Sequence, residues 1–116
     1  MVSLVRDSVK DMEWTLDSAV PVVQKITAIA REHGFSVALY GSVLANGRSD
    51  NDLDLYFIVA EDRTTAVHAQ ACLDAIAEKL AEVKSCTTLT LSRTSRIQFR
   101  DGKRVDAQFL DGTPLP

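Results

Sequence analysis

The run Asp52-Leu53-Asp54-Leu55-Tyr56-Phe57-Ile58-Val59-Ala60 constrains this chain more than any other stretch. Its aromatic and β-branched residues predict a strand over 52–60, polar at its start and apolar at its end, with the apolar end central and buried. Side chains alternate along a strand, so Asp52 and Asp54 share one face, with Cα atoms about 6.5–7 Å apart. Two like charges on one face repel, and burial in a sheet raises the cost of desolvating them. The arrangement becomes favourable where a divalent cation sits between them. Mg²⁺ takes oxygen ligands, commonly one or two carboxylates completed by substrate phosphates and water. The competing reading is a solvated strand edge guarded by acidic residues.

Two further features bear on that choice. Asp106 lies between Val105 and Ala107 in a strand-like run, another expensive place for a carboxylate. If its strand pairs beside 52–60, three carboxylates meet on one rim. Gly41–Ser42 follows the β-forming run Phe35–Tyr40 directly and stands ten residues before Asp52. Glycine lets backbone approach a ligand, and backbone N–H groups with a serine hydroxyl can hold phosphate oxygens. A serine that merely caps a turn is the plainer alternative.

The remaining pattern supplies a scaffold. Residues 3–12 have loose helical spacing, and 17–32 a stronger one, with Leu16, Val20, Val23 and Ala30 in a stripe widened by Ile26 and Ile29. Ser18 is expected to cap that helix, with Pro21 in its first turn and a break or kink between the two helical pieces. His33-Gly34 closes it. Residues 44–51 read as loop with a turn at Asn46-Gly47, and 65–83 as a helix burying Val67, Ala71, Leu73, Ile76, Ala77, Leu80 and Val83. Residues 87–92 alternate weakly, and 96–100 with 103–110 predict a hairpin closed by a type I′ turn at Asp101-Gly102. The order helix, strand, strand, helix, then about three strands predicts an α+β fold, a mixed or antiparallel sheet with helices packed on it.

With 116 residues, the chain suits one domain spanning 1–116 and has material for one modest core. A net charge of −3 gives no general case for nucleic-acid binding, and the 46% apolar content argues against wholesale disorder. Cys72 and Cys86 fit free thiols in a reducing compartment and read as small apolar fillers, with a single disulfide as the alternative. The charged N-terminus is unlike a secretory leader, and no apolar stretch is long enough to cross a membrane, so a cytoplasmic location is expected.

Arg93, Arg96, Arg100, Lys103 and Arg104 form a basic cluster, offset only by Asp101. It suits a triphosphate, nucleic acid or an acidic partner, and equally a charged hairpin surface. Aromatic interleaving is too thin for a single-strand stacking platform. His33 reads as a helix-end cation, and His68 has no ligand-spaced histidine or cysteine for zinc. Asp50 and Asn51 read as loop residues shaping the entrance. No Walker loop, dinucleotide fingerprint or Ser-His-Asp order is present.

Taken together, "GSVLANGRSDNDLDLYFIV" and the later strand aspartate resemble the DNA polymerase beta-like nucleotidyltransferase superfamily, most of all its small minimal-nucleotidyltransferase, or MNT-type, members. The likeness covers roughly residues 17–110, and its specificity lies in the combination, since Gly-Ser alone is weak. The resemblance implies a nucleotidyltransferase-like mixed sheet. It implies that Gly41 and Ser42 hold a nucleoside triphosphate, ATP by preference. Asp52 and Asp54 would ligate catalytic Mg²⁺, with Mn²⁺ as an alternative. Asp106 would be the third metal-site carboxylate and assist the acceptor hydroxyl. The common arginine-rich turn after Gly-Ser is replaced by Val43-Leu44-Ala45-Asn46-Gly47-Arg48, so Arg48 stands in for that basic side chain. The implied reaction moves a nucleoside monophosphate onto a hydroxyl and releases pyrophosphate. The alternative is a partner-dependent or non-catalytic module, such as the antitoxin-like subunit of a HEPN/MNT toxin–antitoxin pair. A stand-alone enzyme of this kind would need a HEPN-type partner, a homodimer contact or a very open site, and nucleic acid as a partner is left open.

Overall fold

The computed structural model describes residues 13–49, 52–59, 65–88 and 94–110. In chain order the elements are β1 (Trp14–Thr15), α1 (Leu16–Glu32), β2 (Phe35–Tyr40), α2 (Ser42–Asn46), β3 (Arg48–Ser49), β4 (Asp52–Val59), α3 (Thr65–Lys79), β5 (Val83–Thr88), β6 (Thr94–Phe99) and β7 (Arg104–Leu110). Five strands form one sheet in the order β2-β4-β7-β6-β5, and β1 pairs with β3 in a short antiparallel ribbon. Within the large sheet β4 and β7 are parallel and the other neighbours antiparallel. The architecture is α+β with a mixed sheet, as expected.

Alternation along β4 explains how the sheet divides. Leu53, Leu55, Phe57 and Val59 are buried, while Asp52, Asp54, Tyr56 and Ile58 are half-exposed on the other face. β7 does the same with Val105, Ala107 and Phe109 inward and Asp106 outward. α1 and α3 cover the apolar face, burying Ala19, Ile26, Ile29 and Ala30 from one helix and Cys72, Leu73 and Ile76 from the other. Phe35, Phe57 and Phe109 meet at its centre, with ring centroids 4.7–6.4 Å apart. Each such side chain, fully buried, contributes about 1.5–3 kcal/mol. The strand is therefore buried along one whole face rather than at one end.

Several local expectations are corrected. Thr15, not Ser18, is the cap of α1. Its hydroxyl accepts from Ser18 N (3.1 Å) and Ser18 Oγ accepts from Thr15 N (2.9 Å), a reciprocal capping box. The helix therefore begins before the expected first turn, and it runs through Pro21 to Glu32. Its buried stripe is rotated: Leu16 and Val20 are 43% and 46% exposed, and Ala19 takes their place inside. Residues 44–51 are not all loop. Ser42–Asn46 form one helical turn closed by Gly47, which sits at φ 78°, and Arg48–Ser49 pair with β1.

α3 ends at Lys79, four residues early, and Val83 instead opens β5, which takes in Thr87 and Thr88 of the strand expected at 87–92, while 89–92 lie outside the described residues. Ala71 and Ala77 are exposed on α3, where Cys72 carries the burial. The β6–β7 hairpin forms, but with Gly102 alone at positive φ (97°), so its loop is not a type I′ turn. Phe99 N donates to Lys103 O across three intervening residues, a loop length that uses one left-handed glycine. The expected helix at 3–12, together with Asp50, Asn51, Val67's side chain and Arg93, lies outside the described residues. Among the described residues no helix is long and apolar enough to cross a membrane.

Candidate active site

The face of the sheet opposite α1 and α3 carries Asp52, Asp54 and Asp106, with the Gly41 backbone against Asp54. Asp54 on β4 is the direct register partner of Asp106 on the parallel strand β7, and Asp52 is the partner of Arg104. In-register partners point to the same side, so Asp52, Asp54 and Asp106 share one face across two hydrogen-bonded strands. Gly41 is at the end of β2, and Tyr40, the residue before it, is the register partner of Asp54. The Gly-Ser turn and the three carboxylates are thus neighbours in space.

Gly41 approaches Asp54 as only glycine can. Its φ is +79°, and a Cβ added there would overlap the Asp54 carboxylate. Gly41 O accepts from Ala45 N (2.9 Å), which closes the α2 turn and leaves Ser42 exposed at its start. Arg48 is on β3, with its side chain 61% exposed and an Nη group 3.1 Å from Glu13 Oε2.

Electrostatics on this face are crowded. The Asp52 carboxyl is raised above its ordinary value by burial first, then by a hydrogen bond and charge repulsion from Asp106, with Arg104 and Arg96 pulling the other way. Asp54 is raised by burial and by the charge of Asp106. Arg96, the register partner of Asp106 on β6, donates from Nε to Asp106 Oδ1 at 3.1 Å. Arg104 Nε lies 3.0 Å from Asp52 Oδ1, but without the alignment of a hydrogen bond, so that buried oxygen has a charged neighbour and no donor. Beyond the carboxylates, Tyr40 and Tyr56 stack at 3.8 Å with rings 8° from parallel. Tyr40 Oη donates to Gln108 Oε1 at 3.5 Å, and burial, with Asp54 next, raises its phenol above the ordinary value.

A divalent cation suits this donor set. The carboxylates resist ionisation together, and one buried oxygen lacks a donor. Among the described residues no three His, Cys, Asp or Glu side chains are drawn together as a ready cage.

Sequence reasoning named Arg96 and Arg104 in a basic cluster without placing them beside the aspartates, and it missed Tyr40, Tyr56 and Gln108 as members of this face. Arg104 and Tyr56 carry a readable signal, each being two residues from an aspartate on its own strand. Arg96 required knowledge of the β6–β7 register.

The mixed sheet, backed by helices on one side and carrying the carboxylates on the other, has a counterpart in fold among solved structures. A solved structure reported as the basis for the activity of a cytoplasmic RNA terminal U-transferase matches with a TM-score of 0.60 over 92% of this chain, at 10% sequence identity. The chain spans about a third (33%) of the length of that protein, and the likeness is one of fold. No protein-family model matches the sequence, and no curated protein matches it.

Proposed function

We propose that the chain is a metal-dependent nucleotidyltransferase domain, transferring a nucleoside monophosphate from a nucleoside triphosphate, ATP by preference, to a hydroxyl acceptor. The observation that carries this reading is the direct register of Asp54 with Asp106, beside Asp52 and against the Gly41 backbone. Asp52 and Asp54 would hold Mg²⁺, or Mn²⁺, with Asp106 as the third carboxylate. Such ions polarise the attacking and leaving oxygens and neutralise phosphate charge when bound.

The chain's own groups divide the remaining work. The Gly41–Ser42 backbone and the Ser42 hydroxyl orient the triphosphate, and Arg48 supplies positive charge at the rim. Asp106 accepts the proton of the acceptor hydroxyl as its oxygen bonds to the α-phosphorus. The bond from that phosphorus to the β-bridging oxygen breaks, and pyrophosphate leaves with the electron pair. Positioning and preorganised charge supply most of the acceleration.

A second reading is favoured by the two arginine–carboxylate contacts, which already neutralise Asp52 and Asp106. In it the domain is a non-catalytic module that acts on a HEPN-type partner. Both are tested by incubating the protein with Mg²⁺ and each labelled triphosphate, alone and with candidate acceptors, and measuring pyrophosphate release. Transfer that stops on chelation and falls at least a hundredfold in Asp52→Asn and Asp106→Asn supports the first reading. Wild-type protein that binds no triphosphate in any metal overturns it in favour of the second.

A further inference from the structure

Asp52 and Asp106 each have a cation of the chain's own beside them. Arg96 Nε donates to Asp106 Oδ1 at 3.1 Å, and Arg104 Nε lies 3.0 Å from Asp52 Oδ1. Register sets both contacts, since Arg96 is the cross-strand partner of Asp106 and Arg104 that of Asp52. Arg104 is also held through its backbone, where its carbonyl oxygen accepts from Trp14 Nε1 at 2.9 Å. Asp54 is different. Among the described residues no lysine or arginine pairs with it, and its carboxylate lies against the Gly41 backbone instead.

The charges nearly cancel. Three carboxylates and two guanidinium groups leave one net negative charge, which a single divalent cation already exceeds. The triphosphate assigned to Gly41–Ser42 brings its negative charge to the Asp54 side. Arg96 is on β6, two strands beyond β4 and three beyond β2. A second divalent cation beside Asp106 would meet a guanidinium there, and like charges at such range repel strongly. Paired ions also need carboxylate oxygens for each. Asp106 Oδ1 is committed to Arg96. Asp52 Oδ1 is not: Arg104 lends it charge without a hydrogen bond, and the oxygen stays free to act as a ligand.

We propose that the site takes a single divalent cation, held by Asp54 with Asp52, and that Arg96 and Arg104 occupy the place of a second. This rests on the metal-dependent transfer reading and deepens it. Positive charge at the Asp106 end is then supplied by the chain itself, from groups that stay protonated at any working pH. The arginines are positioning residues here, acting through the carboxylates they neutralise. A plainer role, in which two cross-strand ion pairs only stabilise the sheet, leaves the number of bound cations unaffected by their removal.

The test counts cations without turnover. Equilibrium dialysis measures the Mn²⁺ carried by the protein, with a saturating ATP analogue whose α,β-bridging oxygen is replaced by methylene. Wild-type protein is expected to carry one Mn²⁺ per chain. The double variant Arg96→Gln/Arg104→Gln should carry two, and Arg96→Lys/Arg104→Lys, which keeps both charges, should carry one. If the double glutamine variant fails to fold, as judged by Trp14 fluorescence, Arg96→Gln alone decides the matter and should carry two. Two Mn²⁺ on the wild type, or one on the folded glutamine variant, overturns the proposal. No Mn²⁺ on any of these proteins overturns it together with the metal-dependent reading. Wild-type protein that carries one Mn²⁺, with the expected gain in the glutamine variant, but transfers to no acceptor removes the transfer reading and leaves the single-cation site standing. Two ions with transfer intact do the reverse.

Discussion

Gly41 and Asp54 touch so closely that a Cβ on the glycine would lie 2.9 Å from Asp54 Cγ and collide with its Oδ2. The end of β2 and the carboxylate of β4 are thereby fixed against each other without any side chain between them. Gly41→Ala must also adopt φ +79°, a conformation that β-carbons oppose. The variant is expected to lose about 1–3 kcal/mol, read as a lower urea midpoint at unchanged slope. Retained stability would mean that the turn can rebuild with negative φ.

Asp54 gives a pH signature of unusual sign. Its carboxyl is raised by burial and by Asp106, so the folded state holds its proton to higher pH than the unfolded chain does. Where that is so, stability falls as pH rises. Wherever the group is ionised it is a net cost to folding, and there Asp54→Asn should stabilise the protein. The gain should shrink as pH falls through the raised carboxyl range and vanish near the ordinary one. Urea titrations of both proteins between pH 4 and 8 measure it, and a gap independent of pH would refute the assignment.

Trp14 is the pin beneath the site. It is 1% exposed, meets Phe99 edge-on at 5.9 Å, and its Nε1 donates to Arg104 O at 2.9 Å, at the start of the strand that carries Asp106. Trp14→Phe loses that hydrogen bond and should cost about 1 kcal/mol. Trp14→Ala should cost about 3–5 kcal/mol. As Trp14 is the only tryptophan, its fluorescence in wild type reports this corner alone. The Phe variant is followed by far-UV circular dichroism.

The thiols are expected to be inert in the folded state. Burial pushes Cys72 up to about 12 and Cys86 up to about 11, with the charge of Asp74 contributing to the second. Nucleophilic attack needs the thiolate. Alkylation by iodoacetamide at pH 8 should be slow in buffer and rapid in urea. Fast labelling of Cys72 in the native protein would contradict its burial.

Much of this site is written in local sequence. Asp52 and Asp54 are two residues apart on a run of β-formers, and that spacing alone puts them on one face. Gly41 announces a close approach by following a strand directly. What could not be read was how distant segments align. Asp106 meets Asp54 through parallel pairing, which no neighbouring residue encodes. The partnership of Arg96 with Asp106 depends on the same register. Near the helices, competing local signals misled: Thr15 and Ser18 are both good caps, and only the reciprocal bonds reveal which one starts α1. Val83 suits a helix stripe as well as a strand, and the core beneath β6 decides for the strand.

The parallel ladder between β4 and β7 has a consequence for how such a domain can change. A slip of one residue would turn Asp106 inward and bring Val105 and Ala107 out, exposing apolar surface while burying a charge. Chemistry and cohesion are thus keyed by a single alignment. A shift of pairing therefore disturbs both together, whereas replacing one acid in register leaves the ladder itself in place.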